Sequence, residues 1–181
     1  FSNNDIYVVK YGPGATNLYH QWNPERYDGL YATWLGYYRK AMACLNREYS
    51  DVRVIGLYWD QGESDGTDNK ADEYAGNLAR FIEAMRRDTN LPQLRVFIRK
   101  HIFNWLNIDT IISAQEKIAK DYPRCHLLDI DLGDRKKNYE AWAYSPGNGH
   151  LSSKGFMKLT ECLFDGPLRE ATIDSFDKAI L

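Results

Sequence analysis

Along the chain, short unbroken apolar runs alternate with longer stretches in which apolar residues return every third or fourth position. Residues 5–11 (Asp-Ile-Tyr-Val-Val-Lys-Tyr) form the first run and stop at Gly12-Pro13-Gly14, which reads as a buried strand followed by a glycine-rich turn. Over 29–49, Tyr31, Leu35, Tyr38, Met42 and Leu45 share one face of a helix, with Asp28 as its expected N-cap. Residues 52–59 are nearly continuously apolar, as in a strand covered on both sides. Tyr74, Leu78, Phe81, Ile82 and Met85 mark a second helix. A strand over 94–98, a helix over 108–119 and a strand over 126–130 follow, and a last helix is expected to start near Ser152 or Ser153.

Strands that alternate with helices predict βαβ units and a parallel sheet inside a three-layer α/β/α sandwich. Neither a repeat nor a linker interrupts the 181 residues, so one domain is expected. The second strand ends abruptly in Asp60-Gln61-Gly62-Glu63-Ser64-Asp65. Ligands of open α/β sheets sit beyond the carboxyl ends of strands, so this turn is the first place to look for chemistry. A solvated strand-to-helix turn would use the same residue types.

Composition narrows the classes. The formal net charge of −2 gives no bulk attraction to nucleic acid or to a membrane surface, and no apolar run is long enough to span a bilayer. Cys44, Cys125 and Cys162 lack metal-ligand or redox spacing and read as buried thiols. The aromatics of 17–28 and Trp105 suit either core packing or stacking on sugar rings. The chain begins at Phe1, so processing or an incomplete N-terminus is expected.

Few residues offer reactive chemistry. Gly12-Pro13-Gly14-Ala15-Thr16 fits neither a dinucleotide fingerprint nor a phosphate loop, so no nucleotide or other cofactor is expected. No histidine or cysteine cluster suggests a metal. The acids of 60–65 are too close together to flank a sugar as a glycosidase pair would. Of the four histidines, His101 and His126 border predicted strands and read as structural. His150, in Ser145-Pro146-Gly147-Asn148-Gly149-His150-Leu151-Ser152, is delivered by a loop just before a helix, where a general base can stand.

Taken together, three blocks resemble the SGNH hydrolase superfamily, in its branch of sialate O-acetylesterases and acetylxylan esterases (carbohydrate esterase family six). The turn Gly12-Pro13-Gly14-Ala15-Thr16 is similar to a Gly-Gly-Thr block, and Trp59-Asp60-Gln61-Gly62-Glu63-Ser64-Asp65 matches Trp-x-Gln-Gly-Glu-x-Asp at every defined position. Gly149-His150-Leu151-Ser152 is similar to the histidine block. The resemblance implies an SGNH (flavodoxin-like) fold and a Ser-His-acid esterase acting on an acetylated carbohydrate in an extracellular or periplasmic setting. It implies His150 as the base, Glu63 as the acid, and Gln61 and Gly14 as contributors to the oxyanion site.

Two departures accompany it. The family's usual acid, three residues before the histidine, is replaced here by Gly147, which leaves Glu63 as the candidate. The Gly-Gln-Ser-Asn block with the nucleophile is absent, and no serine of this chain is assigned to that role. In the strand order the family implies, 2-1-3-4-5, the missing first strand would lie between 6–11 and 52–59. Each orphaned backbone group would cost about 1–3 kcal/mol, against a total stability of about 5–15 kcal/mol. Residues 1–181 are therefore expected to be the C-terminal portion of a single esterase domain, completed by an upstream segment or another chain. The alternative is a catalytically inactive carbohydrate-binding or structural relic; a lysophospholipase-like enzyme is disfavoured because its block would carry Gly-x-Asn-Asp.

Overall fold

The computed structural model describes residues 5–146 and 149–169. Three parallel strands form one sheet in the order β1 (Leu57–Trp59), β2 (Val96–Arg99), β3 (Cys125–Leu128). Leu57 pairs with Val96 and Val96 with Cys125, so every connection is a helical crossover. The helices are α1 (Leu30–Glu48), α2 (Glu63–Thr67), α3 (Tyr74–Asp88), α4 (Ile108–Asp121), α5 (Arg135–Asn138) and α6 (Ser153–Phe164).

Alternation along the strands sorts their side chains into two cores. Trp59, Val96, Ile98 and Cys125 join α1, α3 and α4 on one face; Phe97 and Leu128 join Leu151 and Leu159 of the α6 region on the other. Two helical layers around a parallel sheet make the α/β/α sandwich that the pattern predicts. Central β2 is buried at all four positions. The fully buried Phe81, Ile82 and Leu78 of α3 each contribute about 1.5–3 kcal/mol by leaving water.

Four expectations need correction. Residues 5–11 form no strand: Ile6, Tyr7, Val8 and Val9 are exposed, and the segment lies along α1, with Tyr7 hydrogen-bonded to Tyr49 and Tyr11 against Tyr37. A β-prone sequence becomes a strand only beside a ladder partner, and none pairs with it among the described residues. The second strand is shorter than 52–59 because β2 begins only at Val96, after the turn in which Leu94 N–H bonds the Leu91 carbonyl. Gly29, not Asp28, occupies the N-cap of α1, without a side-chain cap bond, while Asp28 pairs with Arg26. Cys44 is exposed, Cys125 buried and Cys162 intermediate. At α6 the expectation holds, since Ser152 Oγ accepts from Gly155 N–H at 3.2 Å.

Candidate active site

At the carboxyl end of β1 the chain turns at Gly62, whose φ of +153° a side chain rarely adopts. A Cβ there would lie 2.6 Å from Ile111 Cγ2 and 3.0 Å from His101 Nε2, so only glycine lets the turn close onto α4. Residues 60–65 thereby become a compact platform from which each polar side chain goes its own way.

Asp65 goes inward. It has no accessible surface, and its Oδ2 accepts from Leu18 N–H (2.8 Å) and Gln61 Nε2 (2.7 Å), while Oδ1 accepts from Tyr19 N–H (3.1 Å). Burial pushes its pKa up, and these three hydrogen bonds oppose the rise. Gln61 is buried too; its Nε2 also donates to the Thr16 carbonyl (2.9 Å), and its Oε1 has no partner among the described residues. Both amide hydrogens are thus engaged. The bond to Thr16 joins the β1 turn to the 12–16 turn that contains Gly14, which is itself exposed with open space around it.

Glu63 goes the other way and remains partly exposed. Its Oε1 is 3.2 Å from Arg99 Nη2 and 3.3 Å from His101 Nδ1, and those two nitrogens are 3.1 Å apart. Arg99 Nε meets Asp60 Oδ1 at 2.5 Å, and Asp60 Oδ2 accepts from the Tyr58 hydroxyl at 3.0 Å. Burial opposes the Arg99 charge, but Asp60 and Glu63 outweigh it and raise its pKa above the ordinary value. His101 is fully buried; desolvation, then the Arg99 charge, lowers its pKa and keeps the ring neutral.

His150 is exposed on the loop before α6, where its carbonyl accepts from Tyr144 N–H at 2.9 Å beside the Ala143–Leu151 bridge. Its neighbour Gly149 lies against Trp105, so closely that a Cβ would fall 2.1 Å from the indole. On its other side the Trp105 loop reaches α2, where Asn107 Nδ2 donates to the Gly66 carbonyl at 2.9 Å. One loop after β2 therefore touches both the His150 loop and the helix that Glu63 opens. Within the described residues Glu63 bonds Arg99 and His101 and not His150. Gly147 lies outside the described residues.

Sequence reasoning passed over Arg99 and took His101 as structural; the strand was expected to end at Ile98. The available signal was alternation, which puts Arg99 on the same strand face as Phe97, at the carboxyl edge. Trp22, a candidate sugar platform, is buried and packs edge-on against Trp59 at 5.4 Å, with its Nε1 donating to Thr16 Oγ1 at 2.9 Å. Trp105 remains partly exposed. No group of three or more His, Cys, Asp or Glu among the described residues is placed to hold a metal ion.

A parallel sheet between two helical layers, with an acid-rich turn at the carboxyl end of β1, is the architecture of the hydrolase class that the blocks resemble. Residues 1–165 match the family described as carbohydrate esterase, sialic acid-specific acetylesterase. The chain belongs to this carbohydrate esterase family, whose fold is that of the SGNH hydrolases. It is also similar in fold to an Arabidopsis thaliana protein solved by X-ray crystallography, at 23% identity and a TM-score of 0.65. That likeness covers 86% of this chain and 58% of the plant protein, so the chain spans less than two thirds of that relative. No protein of curated function matches the chain significantly.

Proposed function

We propose that this chain is the C-terminal portion of a carbohydrate O-acetylesterase domain that hydrolyses acetyl esters on a polysaccharide or on sialic acid. In this reading a serine supplied from outside residues 1–181 attacks the acetyl carbonyl, and His150 takes its proton. His150 then returns the proton to the departing sugar hydroxyl, leaving an acetyl-serine. Water, deprotonated by the same imidazole, releases acetate and restores the serine. Glu63 orients the imidazole and balances its transient charge. Gly14, and Gln61 after exchanging one of its internal bonds, serve the oxyanion.

The observation that carries this reading is the position of the Trp59–Asp65 block, in a chain of this family, at the carboxyl end of β1 with Glu63 still partly exposed. The open outer edge of β1 and the exposed apolar residues at 6–9 support a further strand in the complete domain. Such a strand would bring the nucleophile to the same edge. No helix among the described residues is long and apolar enough to cross a membrane. An extracellular or periplasmic setting accords with a polysaccharide substrate.

One observation favours a second reading, that of an inactive binding or structural relic: both amide hydrogens of Gln61 are already spent on Thr16 and Asp65. Hydrolysis of p-nitrophenyl acetate by the complete protein, abolished by His150→Ala, is the outcome expected of an esterase. A folded complete protein with only background turnover, but with measurable affinity for oligosaccharides, would establish the relic instead.

A further inference from the structure

We propose that Arg99 and His101 are positioning residues for the Glu63 carboxylate: they clamp its Oε1 so that Oε2 is presented to the imidazole of His150. The proposal rests on the esterase reading above and deepens it at the acid.

The geometry is a closed triangle. Arg99 Nη2, His101 Nδ1 and Glu63 Oε1 are separated by 3.1, 3.2 and 3.3 Å, and both contacts to Glu63 fall on the same oxygen. Oε2 has no partner among the described residues, and the side chain keeps 29% of its accessible surface. One oxygen is therefore anchored by buried groups while the other stays open. An orienting acid needs this division, because a carboxylate free to rotate cannot hold a histidine in one tautomer and one direction.

The clamp is itself held. Arg99 is 5% exposed and His101 not at all. Asp60 takes the Nε side of the guanidinium at 2.5 Å and is steadied by Tyr58, so the arginine cannot swing away. The backbone N–H of His101 donates to Gln115 Oε1 at 3.3 Å, and its ring lies beneath Gly62. With the imidazole neutral, Nδ1 makes one of these contacts as a hydrogen bond: protonated, it donates to Oε1, and unprotonated, it accepts from Arg99 Nη2 and so orients the guanidinium that holds Oε1.

A pair built only for stability would look different. An arginine usually grips one carboxylate through two parallel bonds, whereas here the fork is divided between Asp60 and Glu63. The cluster also leaves Arg99 Nη1 buried without a partner among the described residues. Local rules broken at a strand's carboxyl end, beside a half-free carboxylate, mark a functional arrangement.

The test is a double-mutant cycle on the complete protein, read as kcat and KM for p-nitrophenyl acetate, with folding checked by circular dichroism. Arg99→Met is expected to lower kcat about 30-fold with KM within about twofold, and Arg99→Lys to recover part of the loss. In the Glu63→Gln background Arg99→Met should cost nothing further, since its effect passes through that carboxylate. His101→Asn should behave likewise at smaller amplitude. Losses that multiply in the double variant, or an Arg99→Met kcat within about threefold of wild type, overturn the proposal. If Arg99→Met does not fold, Arg99→Lys carries the same cycle. A wild-type protein without turnover removes the esterase reading and this one with it; active enzyme with additive variants removes this one alone.

Discussion

Glu63 and Asp65 stand two positions apart in one turn, and the regions they enter are opposites. Asp65 enters a closed pocket beneath residues 16–19 where every approach is filled by a donor: Leu18 N–H, Tyr19 N–H and the Gln61 amide. Glu63 enters the edge cluster of Tyr58, Asp60, Arg99 and His101, where one of its oxygens is held and the other is not. The saturated carboxylate builds the platform, and the half-satisfied one has capacity left for chemistry. In a motif that specifies both acids, the count of unmet lone pairs separates their environments. Residue type does not.

The comparison can be broken by substitution. The largest effect is expected from Asp65→Ala, which strands three donors that water cannot easily reach. A loss of about 3 kcal/mol in urea unfolding is expected, and a loss under about 1 kcal/mol would show that the pocket is not structural. Next comes Glu63→Gln in the complete protein. It should lower kcat about 100-fold, or about 2.7 kcal/mol, while moving stability by less than about 1 kcal/mol because the side chain is partly solvated. A large stability loss with unchanged kcat would exchange the two roles. Gly62→Ala, between the two acids, should cost about 2 kcal/mol through its positive φ and its approach to Ile111, read by thermal melting.

The smallest effect sharpens the contrast through pH. Burial raises the Asp65 pKa in the folded state, so folding takes up protons at this site. Its contribution is complete below the unfolded value of about 4 and is lost as pH rises through the raised folded value. The stability of wild type minus that of Asp65→Asn should therefore fall as pH climbs from about 4. A difference that rises over the same interval would contradict the burial account.

Much of this was legible in the chain, because it depends on periodicity. Tyr74, Leu78, Phe81, Ile82 and Met85 were expected to share a face, and all are buried. Ile108, Ile111, Ile112 and Ile118 behave the same way in α4. The polar ending of the second strand was legible too, and the 60–65 turn stands at the carboxyl end of β1. Residues 5–11 misled for a physical reason: a run of β-prone side chains describes what a strand could be, while a ladder partner decides whether it forms. Arg99 and His101 were illegible for another. In sequence His101 only borders a predicted strand and Arg99 carries no mark, and the approach of the β1 turn from far away in the chain is what sets both against Glu63.

The all-parallel pairing also has a kinetic side. Leu57 finds its ladder partner only when Val96 exists, after the whole of α2 and α3, and Val96 in turn waits for Cys125. Non-local parallel ladders of this kind close late, after the intervening helices have formed. During synthesis the Trp59–Asp65 block therefore leaves the ribosome with residues 16–22 and α1 already made to cover it, but well before its ladder partner β2 and the helices α3 and α4. An apolar strand end beside a half-formed turn is then open to wrong partners, which is where misassembly of such domains begins. The site is among the first parts of the sheet to be made and among the last to be secured.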